Sequence, residues 1–166
     1  PDIADDLLKM DMDLAIKQKK PPVILIARSK RYLARFPSGR FYQEALMNQM
    51  DAYFKLELYG LALDSAKKVY VDMMRKNVTT ADPKWKKVVA KIGECYDRLG
   101  DFNMANRILK ENAAAFHEMQ SSPDVFITWS NSAVERGQVE EALRRLDVVI
   151  PRIMDMGHKA ELIVAR

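Results

Sequence analysis

Apolar residues recur along this chain at intervals of three and four, the spacing that places them on one face of an α-helix. The stretch 92–109 shows this pattern most clearly. Gly93 and Tyr96 share one helical face, and Gly100 with Asp101 then interrupts the helix. The apolar spacing restarts after this break with Phe102, Ala105 and Leu109. Small residues let two backbones approach, so the stretch predicts two antiparallel helices joined by a tight turn.

Two further stretches carry the same pattern, which is typical of a repeat protein. The downstream copy consists of Trp129, Ser130, Ala133, Gly137, Val139, Ala142 and Leu146. The upstream copy consists of Tyr53, Tyr59 and Ala62, with Glu57 at the position of the turn glycine. Because one helical hairpin cannot cover its own apolar face, such units are expected to stack on their neighbours.

Prolines, glycines and short polar segments divide the chain into successive helix pairs. We expect a single helical repeat domain over residues 1–166, with hairpins at about 2–36, 40–76, 83–119 and 123–156 and the start of a further repeat at 158–166. Since the apolar stripe of that last segment stops at Arg166, we predict that the chain is a fragment of a longer protein.

Helical spacing also predicts which residues face inward. The apolar stripe of the first helix consists of Ile3, Leu7, Leu8, Met10, Leu14 and Ala15. The inward residues predicted for the second hairpin are Leu46, Met50, Tyr53, Leu61, Ala62, Ala66, Val69, Tyr70 and Met73.

The central stretch resembles the tetratricopeptide repeat, which sets a small residue, an aromatic, a turn glycine, a second aromatic and an alanine at fixed spacing. These positions hold Gly93, Tyr96, Gly100, Phe102 and Ala105. The resemblance implies an all-α fold, a right-handed superhelical solenoid of antiparallel helical hairpins. It also implies a non-enzymatic scaffold or adaptor that binds another protein, as a peptide or a helix, in a concave groove.

The junction YLARFPSGRFYQEAL at residues 32–46 resembles those of tetratricopeptide proteins of the bacterial envelope. Examples of that class are the outer-membrane assembly lipoprotein and the coordinator of the Tol-Pal system. The resemblance implies a bacterial envelope or motility assembly. The compartment, periplasm and envelope or cytoplasm, stays open at this point.

The family resemblance implies that the first helix of each hairpin lines the groove. Carried onto this sequence, the groove residues are Met47, Asp51, Phe54, Lys55, Lys87, Lys91, Glu94, Asp97, Arg98, Ile127, Asn131, Val134 and Glu135. Phe54 and Arg98 are the strongest candidates, because aromatic and arginine side chains concentrate binding energy. The chaperone-binding members of the family clamp a C-terminal carboxylate with Lys and Asn, but the corresponding positions here hold Met47, Asp51, Ala90 and Glu94.

Composition favours a globular domain, and the sequence shows no pattern of catalytic or metal-ligating residues. The chain is 48% hydrophobic and 30% charged, which excludes a disordered or collagen-like protein. Its longest apolar run, residues 22–27, is too short for a bilayer span of about 20 residues. Cys95 is interpreted as a core residue, and His117 and His158 have no partners at metal-ligand spacing. We therefore predict no enzyme, no metal and no cofactor.

Two alternatives remain open. The net charge of +4 allows a nucleic-acid or anionic-surface adaptor. The basic residues that would serve it are Arg28, Lys30, Arg31 and Arg35 on one helix and Lys84, Lys86 and Lys87 around Trp85 on another. The favoured interpretation places Trp85 on the apolar stripe, with those lysines as its solvated edge. The other alternative is self-assembly through the terminal repeats, whose uncapped ends would offer apolar faces.

Overall fold

The computed structural model describes residues 3–112, 130–131, 133–140, 142–144 and 146–147. Within these ranges the chain forms helices and the connections between them. The complete helices are α1 (Ile3–Lys17), α2 (Pro22–Arg35), α3 (Tyr42–Lys55), α4 (Tyr59–Arg75), α5 (Pro83–Arg98) and α6 (Phe102–Glu111). The predicted all-α class of sequential helix pairs is confirmed. The predictions that concern residues 113–129 and 148–166 lie outside the described residues.

The chain divides into two compact units, residues 1–79 and 80–166. In the first unit α1 packs on α2, α2 on α3, and α3 on α4, so that two helical hairpins stack in chain order. In the second unit α5 packs on α6. Within the first unit each hairpin covers part of the apolar face of the other, as expected for helices with one apolar stripe.

Aspartate side chains and a proline define the starts of the two helices of the third hairpin. Pro83 occupies the first turn of α5, where a missing backbone N–H costs nothing. The side chain of Asp82 accepts a hydrogen bond of 2.7 Å from the backbone N–H of Lys84. Asp101 caps α6 in the same manner, accepting from the N–H of Met104 at 3.1 Å.

One turn geometry recurs at five helix ends. The second residue after each helix has a positive φ: Lys19 (51°), Glu57 (59°), Asn77 (52°), Gly100 (76°) and Gly137 (73°). The next backbone N–H then donates to a carbonyl five residues earlier, at 2.8 to 3.0 Å, which is the Schellman motif. Glu57 therefore adopts the turn-glycine conformation at the position where the sequence pattern places it. Lys19 gives the first hairpin the same turn without any glycine signal.

The core of the first unit forms around Tyr32, which is fully buried together with Met12 and Ala45. The partly buried apolar side chains packed against this core are Leu8, Leu33, Phe36 and Phe41. The ring of Tyr32 lies 5.6 Å from that of Phe36 and 6.3 Å from that of Phe41. The aromatic junction between α2 and α3 thus forms part of the core.

The core of the second unit includes the residues that carry the repeat pattern. Its buried members are Trp85, Val88, Val89, Ile92, Gly93, Cys95, Tyr96, Ala105 and Leu109. A Cβ atom on Gly93 would lie 2.8 to 3.0 Å from the Leu109 side chain, so glycine is required for the close approach of α5 and α6. Burial also raises the pKa of the Cys95 thiol to about 12, as suits a core residue with little thiolate.

Five residues of the predicted apolar stripes do not face inward, four in α1 and one in α4. In α1, Ile3, Leu7, Met10 and Leu14 are exposed, while Asp5, Met12 and Ala15 form the buried face. In α4, Leu61 is exposed, because the neighbouring residue Ala62 begins the stripe that contacts α3 and continues through Ala66, Val69 and Met73. Adjacent residues on a helix point about 100° apart, so the exact orientation of the packed face decides which of two neighbouring apolar residues is covered.

Candidate partner-binding surfaces

Four predicted groove residues lie on one face of α3. Met47, Asp51 and Phe54 are half-buried, and Lys55 is exposed. Their spacing of four, three and one residues places them beside one another, away from the buried stripe that contains Met50 and Tyr53. The structure therefore brings these four side chains together on a partly accessible surface.

Phe54 is held in place by a second aromatic ring. Its ring centroid lies 5.2 Å from that of Tyr59, at an interplanar angle of 68°. This edge-to-face contact spans the turn between α3 and α4, and it fixes the direction of the Phe54 side chain. Pre-orientation lowers the entropy cost of using this ring in a contact with a partner.

The predicted groove residues of α5 form a mixed charged face. Lys91 and Glu94 form an ion pair with each other and are half-buried, as is Asp97. Lys87 and Arg98 are exposed. Since Lys87, Lys91, Glu94 and Arg98 recur at intervals of four, three and four, they form one stripe along the helix.

The last predicted groove residues follow α6. Asn131, Val134 and Glu135 are exposed, with Val134 at 49%, whereas the adjacent residues Ser130 and Ala133 are buried. Ile127 lies outside the described residues. The continuity of the groove from α3 to α5 and onward stays a prediction.

The structure changes the interpretation of the basic helices. Trp85 is buried, as predicted, and its Nε1 donates a hydrogen bond of 3.2 Å to Oδ1 of Asn112. Lys86 is also buried at 8% exposure, so the prediction that it forms part of a solvated edge is wrong. The Trp85 ring has no free face for stacking on a base, which nucleic-acid binding of this type requires.

The basic residues of α2 are partly neutralised. Arg28 forms an ion pair of 3.2 Å with Asp11 and donates to the backbone carbonyl of the same residue at 2.6 Å. The ammonium group of Lys30 lies 6.0 Å from the centre of the Tyr53 ring, within cation–π range. Arg31 and Arg35 are exposed.

Two features escaped the sequence analysis. Asp5 is buried and bonded to Tyr32 and Arg40, although its sequence position suggests only a favourable charge in the first turn of a helix. A basic cleft also forms where Pro37 and Ser38, between α2 and α3, approach α4. The lysines and the arginine of α4 indicate a basic surface in the sequence. They do not indicate a cleft, because its opposite wall is formed by residues from another part of the chain.

The described residues contain no helix long and apolar enough to cross a membrane and no cluster of His, Cys, Asp and Glu suited to a metal. A family model described as tetratricopeptide repeat protein 21 ARM repeat matches residues 42–161. The solved structure of MamA AMB-1 in the P212121 crystal form is similar over 85% of this chain and 68% of its own, with a TM-score of 0.60 and 20% sequence identity. No curated protein sequence matches. The chain therefore belongs to the family of tetratricopeptide repeat protein 21 ARM repeats, a family of the tetratricopeptide type.

Proposed function

We propose that this chain is a non-enzymatic scaffold that binds a partner protein, as a peptide or a helix, on the first helices of its hairpins. Repeat proteins of this type typically serve protein–protein interaction and are generally non-catalytic. The observation that carries the proposal is the partly accessible face of α3, where Phe54 is half-buried beside Asp51 and Lys55. An oriented aromatic ring flanked by both charge signs is the composition of a protein-binding hot spot.

The α5 face extends the same proposal. Arg98 is exposed at the end of a stripe that contains Lys91 and Glu94 as an internal ion pair. Because that pair already satisfies its own charges, Arg98 is the better candidate for a contact with a partner carboxylate. We propose Phe54 and Arg98 as the principal contacts of the two helices.

The test compares partner capture by the parent chain and by a Phe54→Ala/Arg98→Ala variant. The matched control is Lys17→Ala/Asn103→Ala, which also changes one exposed residue in each unit. Thermal unfolding establishes that all three proteins are folded. A protein retained by the parent and the control but lost from the variant supports the proposal. Equal capture by all three contradicts it.

We propose a bacterial envelope or motility assembly as the setting. The support is the Phe-Pro-Ser-Gly segment at 36–39, which lies between α2 and α3. The junctions of the envelope proteins that it resembles likewise connect one helical hairpin to the next. The identity of the captured partner provides the test. A partner from the envelope or a motility assembly supports this setting, whereas a partner from another process contradicts it without affecting the scaffold proposal.

Self-association is a second candidate function, favoured by the exposed face of α1. Ile3, Leu7, Met10 and Leu14 are 75%, 58%, 66% and 47% exposed and lie along one side of the helix. The helix is acidic in its first turn and basic in its last, so antiparallel pairing with a second copy would bring opposite charges together. Sedimentation of Leu7→Lys/Met10→Lys tests this candidate, with Leu61→Lys/Met74→Lys as the control. A concentration-dependent mass that only the α1 variant abolishes supports it; a monomeric parent contradicts it.

A further inference from the structure

A cleft of about 580 Å³ lies beside α4, and the face of α3 that carries Phe54 does not line it. One wall is α4 itself, and the opposite wall is formed by the connection between α2 and α3 and by the start of α3. The lining residues are Pro37, Ser38, Tyr42, Lys67, Lys68, Val71, Asp72, Arg75 and Lys76. All of them belong to the first unit.

Positive charge dominates this cleft. Lys67, Lys68, Arg75 and Lys76 outnumber Asp72, the carboxylate among the described lining residues. That carboxylate is already engaged, since its Oδ2 lies 2.8 Å from Nζ of Lys76 and accepts a hydrogen bond of 2.8 Å from Nε2 of Gln43. Lys68 and Arg75 form no ion pair within the described residues and are exposed. The cleft therefore presents two exposed cations outside the Asp72–Lys76 ion pair, of which Arg75 also attracts the Asp72 carboxylate electrostatically.

An exposed apolar side chain lies between these two cations. Val71 is 44% exposed, and it lies three residues after Lys68 and four before Arg75, so all three side chains share one face of α4. Seven residues of helix separate the two cations by about 10.5 Å along the axis. An extended segment in the polyproline II conformation repeats the same face every three residues, or about 9.3 Å. Two acidic residues three apart, with an apolar residue between them, match this spacing.

We propose that the α4 cleft binds an acidic, extended segment of another protein, with its carboxylates on Lys68 and Arg75 and an apolar side chain on Val71. A protein segment is favoured over a membrane because the cationic surface is concave, and a flat bilayer cannot enter it. It is favoured over nucleic acid because Tyr42, the one aromatic residue among the described residues that line the cleft, is half-buried and offers no series of stacking platforms. The proposal does not depend on the groove proposed for α3 and α5.

The experiment measures the binding of two synthetic peptides to the full chain by calorimetry at low and moderate salt. The first peptide repeats Glu-Leu-Pro-Glu, and the second replaces every Glu with Gln. The variant Lys68→Glu/Arg75→Glu tests the cleft. Its matched control is Lys20→Glu/Lys84→Glu, which reverses two exposed lysines outside the cleft and changes the net charge by the same amount. A further variant, Val71→Ser, tests the apolar contact, and thermal unfolding confirms the fold of each protein.

We expect the Glu peptide to bind saturably, with an affinity that decreases as salt is added. The cleft variant should lose at least about tenfold in affinity, and its control should not. Val71→Ser is expected to reduce affinity severalfold at unchanged salt dependence. Equal losses in the cleft variant and the control would show attraction to net charge only and would overturn the proposal. Equal binding of the Gln peptide would overturn it too. So would binding confined to anionic vesicles or a DNA oligonucleotide, because the partner would then belong to another class.

Discussion

The hydroxyl of Tyr32 donates a hydrogen bond of 2.5 Å to Oδ1 of Asp5, connecting α2 to α1 inside the first unit. The same hydroxyl accepts a bond of 3.0 Å from the backbone N–H of Phe41, just before α3. Arg40 approaches the other oxygen of Asp5 at 3.3 Å. One buried polar cluster therefore links three consecutive helices at the point where the first two hairpins meet.

Tyr32→Phe is expected to destabilise the protein by about 1–3 kcal/mol. The substitution keeps the ring in the core but removes the partner of Oδ1 of the buried Asp5 and of the partly buried Phe41 N–H, and an unsatisfied buried group costs about this much. Urea unfolding measures the change. Tyr42→Phe is the matched control, since Tyr42 is only half-buried and lies outside the cluster. Equal stability of Tyr32→Phe and the parent would contradict a stabilising role for the cluster.

The cluster also predicts a loss of stability in acid. The hydrogen bond from Tyr32, together with Arg40, holds the pKa of Asp5 below its ordinary value of 3.8, despite the opposing effect of burial. A carboxyl group whose pKa is lowered on folding contributes stability above its unfolded pKa, and that contribution is lost as the pH falls through its folded pKa. The free energy of unfolding is therefore expected to decrease as the pH falls below about 4. Urea titrations over this range should show a shallower decrease for Asp5→Asn; a parallel curve would contradict the assignment.

Two turn substitutions are expected to have opposite effects. Glu57→Gly should stabilise the protein by about 0.5–1 kcal/mol, because a left-handed conformation costs a residue with a Cβ about 1–2 kcal/mol and the greater chain entropy of unfolded glycine offsets part of the gain. Gly100→Ala should destabilise it, since the new Cβ meets no atom within 4 Å but the φ of 76° is unfavourable for alanine. Thermal unfolding checks both. A stabilising effect of Gly100→Ala would contradict the left-handed backbone conformation at this position.

Gly93→Ala is expected to cost about 1–3 kcal/mol, a typical cost of an overpacked core. The added Cβ would lie 2.8 Å from Cγ of Leu109 and would force α5 and α6 apart. Adding Leu109→Ala removes the clash, so the double variant should be more stable than the sum of the two single changes predicts. Additive free energies of unfolding would contradict a direct contact between these positions.

Much of the helical hairpin could be predicted from sequence because its determinants are close together in the chain. Gly93 and Tyr96 set one packing face, Gly100 permits a left-handed turn, and Ala105 continues the partner face. These effects act within one or two turns of helix, so spacing alone reveals them. The candidate residues on α3, by contrast, were implied by the family resemblance and not by spacing alone.

Other features were decided only by the tertiary structure. Spacing could not show that Asp5 rather than Leu7 faces the core, because that choice depends on Tyr32, which lies in another helix. The burial of Lys86 likewise depends on the packing around α5. The cleft beside α4 exists because the segment at Pro37 lies opposite Arg75, and no local pattern records that approach. Sequence determines which faces each helix can offer, whereas contacts between distant residues decide which of those faces are covered.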